Sequence, residues 1–206
     1  MEAVKTAKLQ QLLRQGEVWR GTEKRLADDA VLCTGFVELD ELIGGGWPRA
    51  ALVEILSSGT LGLSLLVPVL ARLSDKSAWL AWINSPYLPY APRLQALGID
   101  TGKILLLRKL SDEQALWAAE QALRSGNCSV VMLWPGKLGM AQIRRLQLAA
   151  EAGSCLGILF RPQSASRQAS VAPLRLQVEA DTQALSVQLL KRRGGWAGGS
   201  LKLRNS

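Results

Sequence analysis

The sequence predicts an α/β fold with a mostly parallel, twisted sheet and an antiparallel extension at its C-terminal end. Apolar runs of strand length alternate along the chain with segments of helical length, which is the pattern of consecutive βαβ units. The runs are almost continuously apolar, as expected for parallel strands that are buried on both faces. A chain of 206 residues with 48% hydrophobic residues is large enough to bury one such core.

Five apolar runs are predicted to form the parallel strands: residues 52–56, 79–83, 104–107, 130–133 and 156–160. The predicted helices lie between them: residues 61–73, 90–97, 112–125 and 140–152. The third helix has the clearest ends. Ser111 and Gln114 form an S-x-x-Q capping box at its start, and Gly126 suits the left-handed position that follows a helix.

The two ends of the chain differ from this alternating core. Residues 1–29 are predicted to form an amphipathic helix and a polar linker, an arm that docks either on its own domain or on a neighbour. The residues predicted to dock are Leu9, Leu12, Leu13 and Trp19. Residues 30–206 are predicted to form one domain. Its last part, about residues 174–204, alternates apolar and polar residues between glycine-rich turns, which predicts an antiparallel β extension.

The composition excludes several kinds of chemistry. The chain has no histidine, which removes histidine acid–base catalysis, Ser-His triads and imidazole metal ligands. Its three cysteines, Cys33, Cys128 and Cys155, are an odd and widely spaced set that favours neither a disulfide framework nor a zinc site. No metal or cofactor is therefore predicted. No apolar run approaches the ~20 residues of a membrane helix, and the N-terminus lacks an apolar signal core, so we expect a protein of the bacterial cytoplasm.

Most of the positive charge lies near the C-terminus. Residues 156–206 contain eight Lys/Arg and two acidic residues, so they carry +6 of the net charge of +8. Basic surfaces of this kind attract acidic proteins or nucleic acid, although a solvated strand surface gives the same pattern. A Trp beside basic residues can anchor a partner or stack on a base. The predicted contact residues are Lys191, Arg192, Arg193, Trp196, Arg161, Arg144 and Arg145.

The seven tryptophans divide by their sequence context. Those within predicted strands or helices are predicted to pack in the core, namely Trp79, Trp82, Trp117 and Trp134. Those in polar or glycine-rich surroundings are candidates for exposed contacts, namely Trp19, Trp47 and Trp196.

A degenerate phosphate-binding loop follows the first predicted strand. Residues 57–64, SSGTLGLS, occupy the strand–loop–helix position of the GxxxxGK[ST] motif, whose backbone N–H groups and lysine hold phosphates. Ser57 replaces the first glycine and Leu63 replaces the lysine. The candidate residues for a weak anion site are Ser57, Gly59, Gly62, Leu63 and Ser64. The alternative is that this apolar loop is packed against the core.

Short motifs along the chain resemble the core of the RecA ATPase family and occur in the same order. They include Thr34-Gly35, GGGWP at residues 44–48, LGID at residues 97–100 and ALRSG at residues 122–126. The resemblance covers residues 30–206. It implies a RecA-like three-layer αβα core.

The same resemblance locates the residues that an ATPase would need. The phosphate-binding lysine falls on Leu63, the water-activating glutamate on Pro86 and the metal-holding aspartate on Trp134. Phosphoryl transfer depends on positioning and on charge stabilisation, and none of these three side chains carries a charge. The resemblance therefore implies a RecA-like domain without ATPase activity, and we predict no catalytic residues.

Two longer segments are similar to SulA, a family of damage-induced cell-division inhibitors. They are residues 122–134, ALRSGNCSVVMLW, and residues 157–166, GILFRPQSAS. The chain also has the RecA-like residues 34–55 and a basic C-terminus. This combination is similar to ImuA, a family of damage-inducible mutagenesis factors.

The leading hypothesis follows the ImuA resemblance. It implies a non-catalytic accessory protein of the SOS response that supports translesion DNA synthesis through protein contacts. The implied partners are an ImuB-like Y-family polymerase homologue, an error-prone replicative-type polymerase and RecA. The first alternative, implied by the SulA resemblance, is a division inhibitor that binds the tubulin-like protein FtsZ. The second is a module that binds single-stranded DNA through the basic C-terminus.

Overall fold

The computed structural model describes residues 31–74, 77–181, 184–195 and 197–204. Across these residues the strands are β1 (Val31–Leu32), β2 (Trp47–Pro48), β3 (Ala51–Leu56), β4 (Trp79–Ile83), β5 (Ile104–Leu107), β6 (Cys128–Leu133), β7 (Leu156–Arg161), β8 (Leu174–Ala180), β9 (Ala184–Arg192) and β10 (Ser200–Arg204). The α-helices are α1 (Val37–Ile43), α2 (Val67–Ser74), α3 (Ala91–Ala96), α4 (Asp112–Arg124) and α5 (Met140–Ala152). Short 3₁₀ turns lie at Leu63–Leu66, Thr101–Lys103 and Gln163–Arg167.

The chain has a mixed α/β fold built on one large mixed sheet. Eight strands lie in the order β10-β9-β8-β3-β7-β6-β4-β5. The strands from β8 to β5 pair in parallel, whereas β8, β9 and β10 pair with one another antiparallel. β1 and β2 form a separate antiparallel pair. The predicted parallel set with a C-terminal antiparallel extension is therefore confirmed.

Alternate side chains of the central strands enter two hydrophobic clusters, one on each face of the sheet. In β4, Leu80 and Trp82 belong to the cluster that includes residues of α1, α2 and α3. Ala81 and Ile83 belong to the cluster that includes residues of α4 and α5. This two-residue period is the geometry of a strand that is buried on both faces. Helices therefore cover both faces, and the ends of the strands are the natural places for a site.

The segment predicted as one helix over residues 61–73 is divided. A 3₁₀ turn spans Leu63–Leu66, and α2 begins only at Val67. Pro68 explains the division, because proline has no N–H group and its ring clashes with the carbonyl group four residues earlier. The prediction of a continuous helix directly after the loop was therefore wrong.

The ends predicted for the third helix are confirmed in α4. The Gln114 N–H donates to Ser111 Oγ at 3.2 Å, and the Ser111 N–H donates to Gln114 Oε1 at 3.0 Å. Gly126 follows the helix with a φ of 70°, the left-handed conformation that glycine adopts without strain.

Several tryptophans lie where their sequence context does not predict them. Trp82 is buried as predicted, but Trp47 is also fully buried despite its glycine-rich surroundings. Trp79 and Trp117 are 44% and 63% exposed, although a strand and a helix context predict core packing. Trp117 lies two residues after the buried Ala115, which places it on the opposite side of α4.

Some predicted residues lie outside the described ranges. These are the whole arm, residues 1–29, with Leu9, Leu12, Leu13 and Trp19, and the candidate contact Trp196. Within the described ranges, no helix is both long and apolar enough to cross a membrane. The same ranges contain no group of three or more Cys, Asp or Glu side chains arranged to hold a metal ion.

Candidate functional site

A cleft of about 720 Å³ opens where β3, β4, β6 and β7 end. The carboxyl ends of parallel strands are where α/β proteins place ligand sites. The cleft is lined by the loops after these strands, including Ser57, Gly59, Pro86 and Trp134. Two of the three positions that the RecA resemblance aligns with ATPase residues, Pro86 and Trp134, therefore line the same cleft. The third, Leu63, packs against the core instead.

The backbone of the degenerate phosphate-binding loop is hydrogen-bonded to itself. Three N–H groups donate to nearby carbonyl groups: Leu61 to Ser58 at 3.0 Å, Leu63 to Thr60 at 3.0 Å and Leu65 to Gly62 at 3.1 Å. The Ser57 hydroxyl donates to the Leu61 carbonyl at 2.6 Å. A working phosphate loop points such N–H groups at the anion. The loop therefore offers an anion fewer donors than the motif predicts, in addition to lacking the lysine.

Trp134, which the RecA resemblance aligns with a metal-binding aspartate, directly follows β6. Its ring stacks on Phe160 with 4.4 Å between the centroids and 1° between the planes. Its indole Nε1–H donates to the Gly59 carbonyl at 3.1 Å, which ties the end of β6 to the loop after β3. Aromatic pairs of this kind contribute about 0.5–1.5 kcal/mol beyond the area that they bury. Trp134 thus makes an aromatic contact and a hydrogen bond that hold the loop after β3.

A rigid basic corner forms another part of the cleft. Asn84 and Lys109 both have left-handed backbones, with φ of 54° and 58°. The Asn84 side chain donates to the Leu110 carbonyl at 2.9 Å and accepts from the Leu110 N–H at 3.1 Å, and the Asn84 N–H donates to the Leu107 carbonyl at 2.8 Å. These bonds hold Arg108 and Lys109, which are exposed, at the edge of the cleft. No motif in the sequence identifies this corner.

An exposed aromatic loop follows β4. Tyr87 and Leu88 are each 66% exposed, and Tyr90 is 72% exposed. The Ser85 hydroxyl donates to the Tyr87 carbonyl at 2.9 Å, which fixes the start of the loop. A Cβ atom added at Gly59 would lie 3.7 Å from the Tyr87 ring, so this loop lies beside the loop at residues 57–64. Exposed apolar clusters of this kind mark sites of protein contact.

Arg161 is not an exposed contact residue, which corrects its predicted role. It is 5% exposed and donates to Glu54 Oε1 at 3.0 Å. Arg175 donates to the other oxygen of the same carboxylate at 2.6 Å, and the Ser170 hydroxyl donates to Oε1 at 2.8 Å. Glu54 was not among the predicted residues. Its signal is a lone charge in the apolar run LVEIL, since a buried charge requires a partner.

The basic triplet at the end of β9 is also partly used inside the protein. Lys191 Nζ donates to the Ser170 carbonyl at 2.6 Å, and burial, followed by the charge of Arg175, lowers the pKa of Lys191. The Arg192 guanidinium donates to the Leu42 carbonyl at 3.4 Å, at the end of α1. Arg193 remains exposed. Arg193 Nη1 also lies 4.0 Å from Glu151 Oε1, so each of the three cations has a partner within the protein.

The two arginines predicted on α5 differ from each other. Arg144 is exposed. Arg145 donates to Glu120 Oε2, and Arg124 donates to Oε1 of the same carboxylate at 3.3 Å, so Glu120 joins α4 to α5. The predicted role of both arginines in partner or DNA contact stays a prediction.

The two cysteines on the sheet offer no nucleophile. Cys128 and Cys155 are buried. Burial raises the pKa of the Cys128 thiol and that of the Cys155 thiol. Both thiols therefore stay protonated at neutral pH, and the thiolate is the reactive form.

Comparison with known proteins identifies relatives with one shared description. The family model described as cell division inhibitor SulA matches residues 55–157. Cell division inhibitor SulA of Edwardsiella piscicida is 40% identical over 129 residues, which are 61% of this chain and 77% of that protein. The Photorhabdus laumondii protein of the same name is 37% identical over 112 residues, 54% of this chain and 63% of that protein. The chain thus spans less than two thirds of the Photorhabdus relative.

The chain is also similar to solved structures. One of them is the crystal structure of SulA from Pseudomonas aeruginosa, which has 32% sequence identity and a TM-score of 0.45. The match covers 53% of this chain and 97% of that chain.

These findings overturn the leading hypothesis drawn from the sequence. The matched relatives are named as division inhibitors, so the translesion-synthesis role was wrong. The ImuB-like protein, the error-prone polymerase and RecA were implied only by the ImuA resemblance and have no support. That resemblance relied mainly on residues 34–55, which lie almost entirely before the matched residues 55–157. The segment at residues 122–134, which is similar to SulA, lies inside them.

Proposed function

The chain belongs to the SulA family, and we propose that it is a non-catalytic cell-division inhibitor of the bacterial cytoplasm. We further propose that it acts in the SOS response and that its target is the tubulin-like protein FtsZ. The observation that carries this proposal is the family match over residues 55–157, together with relatives named as division inhibitors. FtsZ is the partner that the SulA resemblance implies.

The geometry of the cleft supports binding rather than catalysis. Trp134 stacks on Phe160 and donates to Gly59 where an ATPase would hold its metal ligand. Two N–H groups of the loop after β3, those of Leu61 and Leu63, donate to carbonyl groups of the loop itself. Both features favour a scaffold that is fixed in one conformation. We therefore also propose that the core is related to RecA and that its nucleotide site has been lost.

The surface around the cleft suits a protein partner. Tyr87, Leu88 and Tyr90 present an exposed apolar cluster, while Arg108 and Lys109 present positive charge at the edge of the cleft. Aromatic residues and arginine are the types most enriched at binding hot spots. The surface therefore fits a partner that combines apolar and acidic side chains.

Two further predictions from the sequence concern the N-terminal arm and the binding of single-stranded DNA. We propose that residues 1–29 form an arm that docks through Leu9, Leu12, Leu13 and Trp19. Single-stranded DNA binding is not proposed, because Lys191 and Arg192 donate to carbonyl groups of the protein itself.

Sedimentation of FtsZ polymers tests the proposal directly. Purified FtsZ and GTP form polymers that pellet, and we expect the full-length chain to reduce the pelleted fraction as it approaches an equimolar ratio. A chain with Tyr87→Ser and Tyr90→Ser should act only at higher concentration. Trp117→Ser is the matched control, because Trp117 is an exposed aromatic on a different element, α4.

Expression in growing cells provides the second arm of the test. The wild-type chain should produce long undivided cells, and the double tyrosine variant should produce fewer of them at an equal protein level. Normal cell length together with unchanged FtsZ polymers at an equimolar ratio would reject the proposed function.

A further inference from the structure

Strand β5 forms one edge of the sheet and is unusually apolar for an edge. Its four residues, Ile104–Leu107, are all aliphatic, and none is fully buried. Leu105 is 43% exposed. Among the residues that the structure describes, no strand lies beyond β5. Proteins usually protect such edges with charges, proline or a covering element, because an open edge pairs with other chains.

The backbone of β5 has a defined open position. The Leu107 carbonyl accepts from the Asn84 N–H, so Leu107 faces the end of β4. Backbone groups alternate in direction along a strand, so the N–H and C=O of Leu106 and of Ile104 point away from β4. The Ile104 N–H donates to the Thr101 carbonyl. Leu106 therefore presents the N–H and C=O pair to which an added strand would bond.

The charges at the ends of β5 select the kind of strand that fits. Lys103 precedes the strand, and Arg108 and Lys109 follow it. In an antiparallel pair of two copies centred on Leu106, Lys103 of each copy would lie opposite Lys109 of the other. Like charges directly opposite each other destabilise a strand pair. A second copy of this chain is therefore a poor occupant, whereas a strand with acidic ends is a good one.

Side chains near the edge provide an apolar surface for the same strand. Trp79, at the start of β4, is 44% exposed. Ala81 is paired in register with Leu105, so Trp79, two residues before Ala81, points to the same face of the sheet as Leu105. An added strand would place its own apolar side chains beside these two.

We propose that the β5 edge binds an extended segment of a protein partner by strand addition. The segment is aliphatic or β-branched in its middle and acidic at both ends. This proposal rests on the proposed function, because we take the partner to be FtsZ. Main-chain hydrogen bonds to Leu106 provide affinity, while Lys103, Arg108 and Lys109 provide selectivity and faster association.

Leu106→Pro in the full-length chain is the test, with Leu106→Ala as the matched control. Proline removes the outward N–H but is tolerated on an edge strand, whereas alanine shortens the same side chain and keeps the N–H. We expect Leu106→Pro to weaken FtsZ binding about tenfold, because the main-chain hydrogen bond donated by the Leu106 N–H is lost. Leu106→Ala should change it less than about threefold. Circular dichroism of both variants establishes that they are folded.

Charge reversal and amide exchange provide independent readouts. Arg108→Glu should slow association with FtsZ and flatten its salt dependence, whereas Arg167→Glu, at another exposed arginine, should not. Exchange of the Leu106 amide hydrogen should slow when FtsZ is added. Equal binding by Leu106→Pro and unchanged exchange at Leu106, with FtsZ still bound by the wild type, overturn the β5 inference and leave the proposed function intact.

If the wild type does not bind FtsZ, the proposed function fails, and the edge is tested with the synthetic peptide EEVTVTVEE. Slower exchange at Leu106 with this peptide, and not with KKVTVTVKK, supports the inference, and unchanged exchange overturns it. A wild-type dimer that Leu106→Pro converts to a monomer would assign the edge to a second copy and overturn it as well. Slow exchange of the Leu106 amide hydrogen in the free monomer would also overturn the inference, because the chain would then cover its own edge.

Discussion

The segments that follow β7 and β4 differ in an unexpected way: a charged side chain is buried in the first, and aromatic side chains are exposed in the second. Residues 161–172 are polar, yet Arg161 is 5% exposed and bonded to Glu54. Residues 87–90, YLPY, are apolar, yet Tyr87 and Tyr90 are 66% and 72% exposed. Charge serves the structure in the first segment, because it ties a loop to the centre of the sheet. In the second segment the exposed rings contribute little to packing, so they are available for a partner.

Replacing Glu54 is the strongest test of the claim that buried charge stabilises the fold. Glu54→Ala leaves the guanidinium groups of Arg161 and Arg175 buried without their counter-charge. Breaking a buried ion pair on one side costs about 3–5 kcal/mol, so the free energy of unfolding should fall by that amount in urea titration. Glu179→Ala is the control, because Glu179 is an exposed carboxylate on β8 and its loss should change stability by about 0.5 kcal/mol or less. Equal effects of the two substitutions would mean that the Glu54 cluster is not structural.

Replacing Trp134 tests the proposal that the cleft is a packing site and not a nucleotide site. Trp134→Ala removes the stack on Phe160 and the hydrogen bond to Gly59. Removing a fully buried Trp costs about 3–5 kcal/mol, and Trp134 is only partly buried, so we expect a loss of about 2–3 kcal/mol. Trp117→Ala is the matched control, since Trp117 is 63% exposed.

A companion variant, Trp134→Asp, restores the residue type that an ATPase would have there. We expect it to be destabilised like Trp134→Ala and to release no phosphate from ATP, because Leu63 and Pro86 still replace the other two groups. Phosphate release above background in this variant would contradict the loss of the nucleotide site.

For the exposed loop at residues 87–90, we expect substitutions to change FtsZ binding more than the free energy of unfolding. Tyr87→Ser with Tyr90→Ser should change the free energy of unfolding by about 0.5 kcal/mol or less in urea titration, as expected for surface substitutions. The same variant should weaken FtsZ binding about tenfold, as loss of an aromatic anchor typically does. A large loss of stability with unchanged binding would show that these rings belong to the fold and not to an interface.

The sequence predicted the sheet better than the surface, for identifiable physical reasons. The apolar run at residues 104–107 and the capping box at Ser111 depend on local patterns, and both are confirmed. The 3₁₀ turn at Leu63–Leu66 was missed because Pro68 outweighs the apolar periodicity around it. The partners of Glu54 were missed because Arg161 and Arg175 are 107 and 121 residues away in the chain.

One loop that lines the cleft, at residues 57–64, was singled out from the sequence, because strand–loop–helix order is readable there. The basic corner was not predicted, because Asn84 and Arg108 follow different strands and meet only through the pairing of β4 with β5. Lys191 and Arg192 look exposed in the sequence, since nothing local shows that carbonyl groups of Ser170 and Leu42 accept from them.

The smallest predicted effect concerns the pH dependence contributed by Lys191. Burial, and next the charge of Arg175, lower the pKa of Lys191 below its ordinary 10.5, while Glu54 acts in the opposite direction. Below the lowered pKa both folded and unfolded chains hold the proton, and the folded chain bears the full penalty of the buried charge. Between the lowered pKa and 10.5 the unfolded chain holds more protons, so stability from this group rises with pH.

Lys191→Met isolates this contribution, because methionine fills similar space and does not titrate. The free energy of unfolding of the wild type, relative to that of Lys191→Met, should rise as the pH is raised toward 10.5 and be constant at lower pH. A wild-type curve parallel to that of Lys191→Met across this range would mean that Lys191 is solvated and free to join the basic surface that its sequence context suggests.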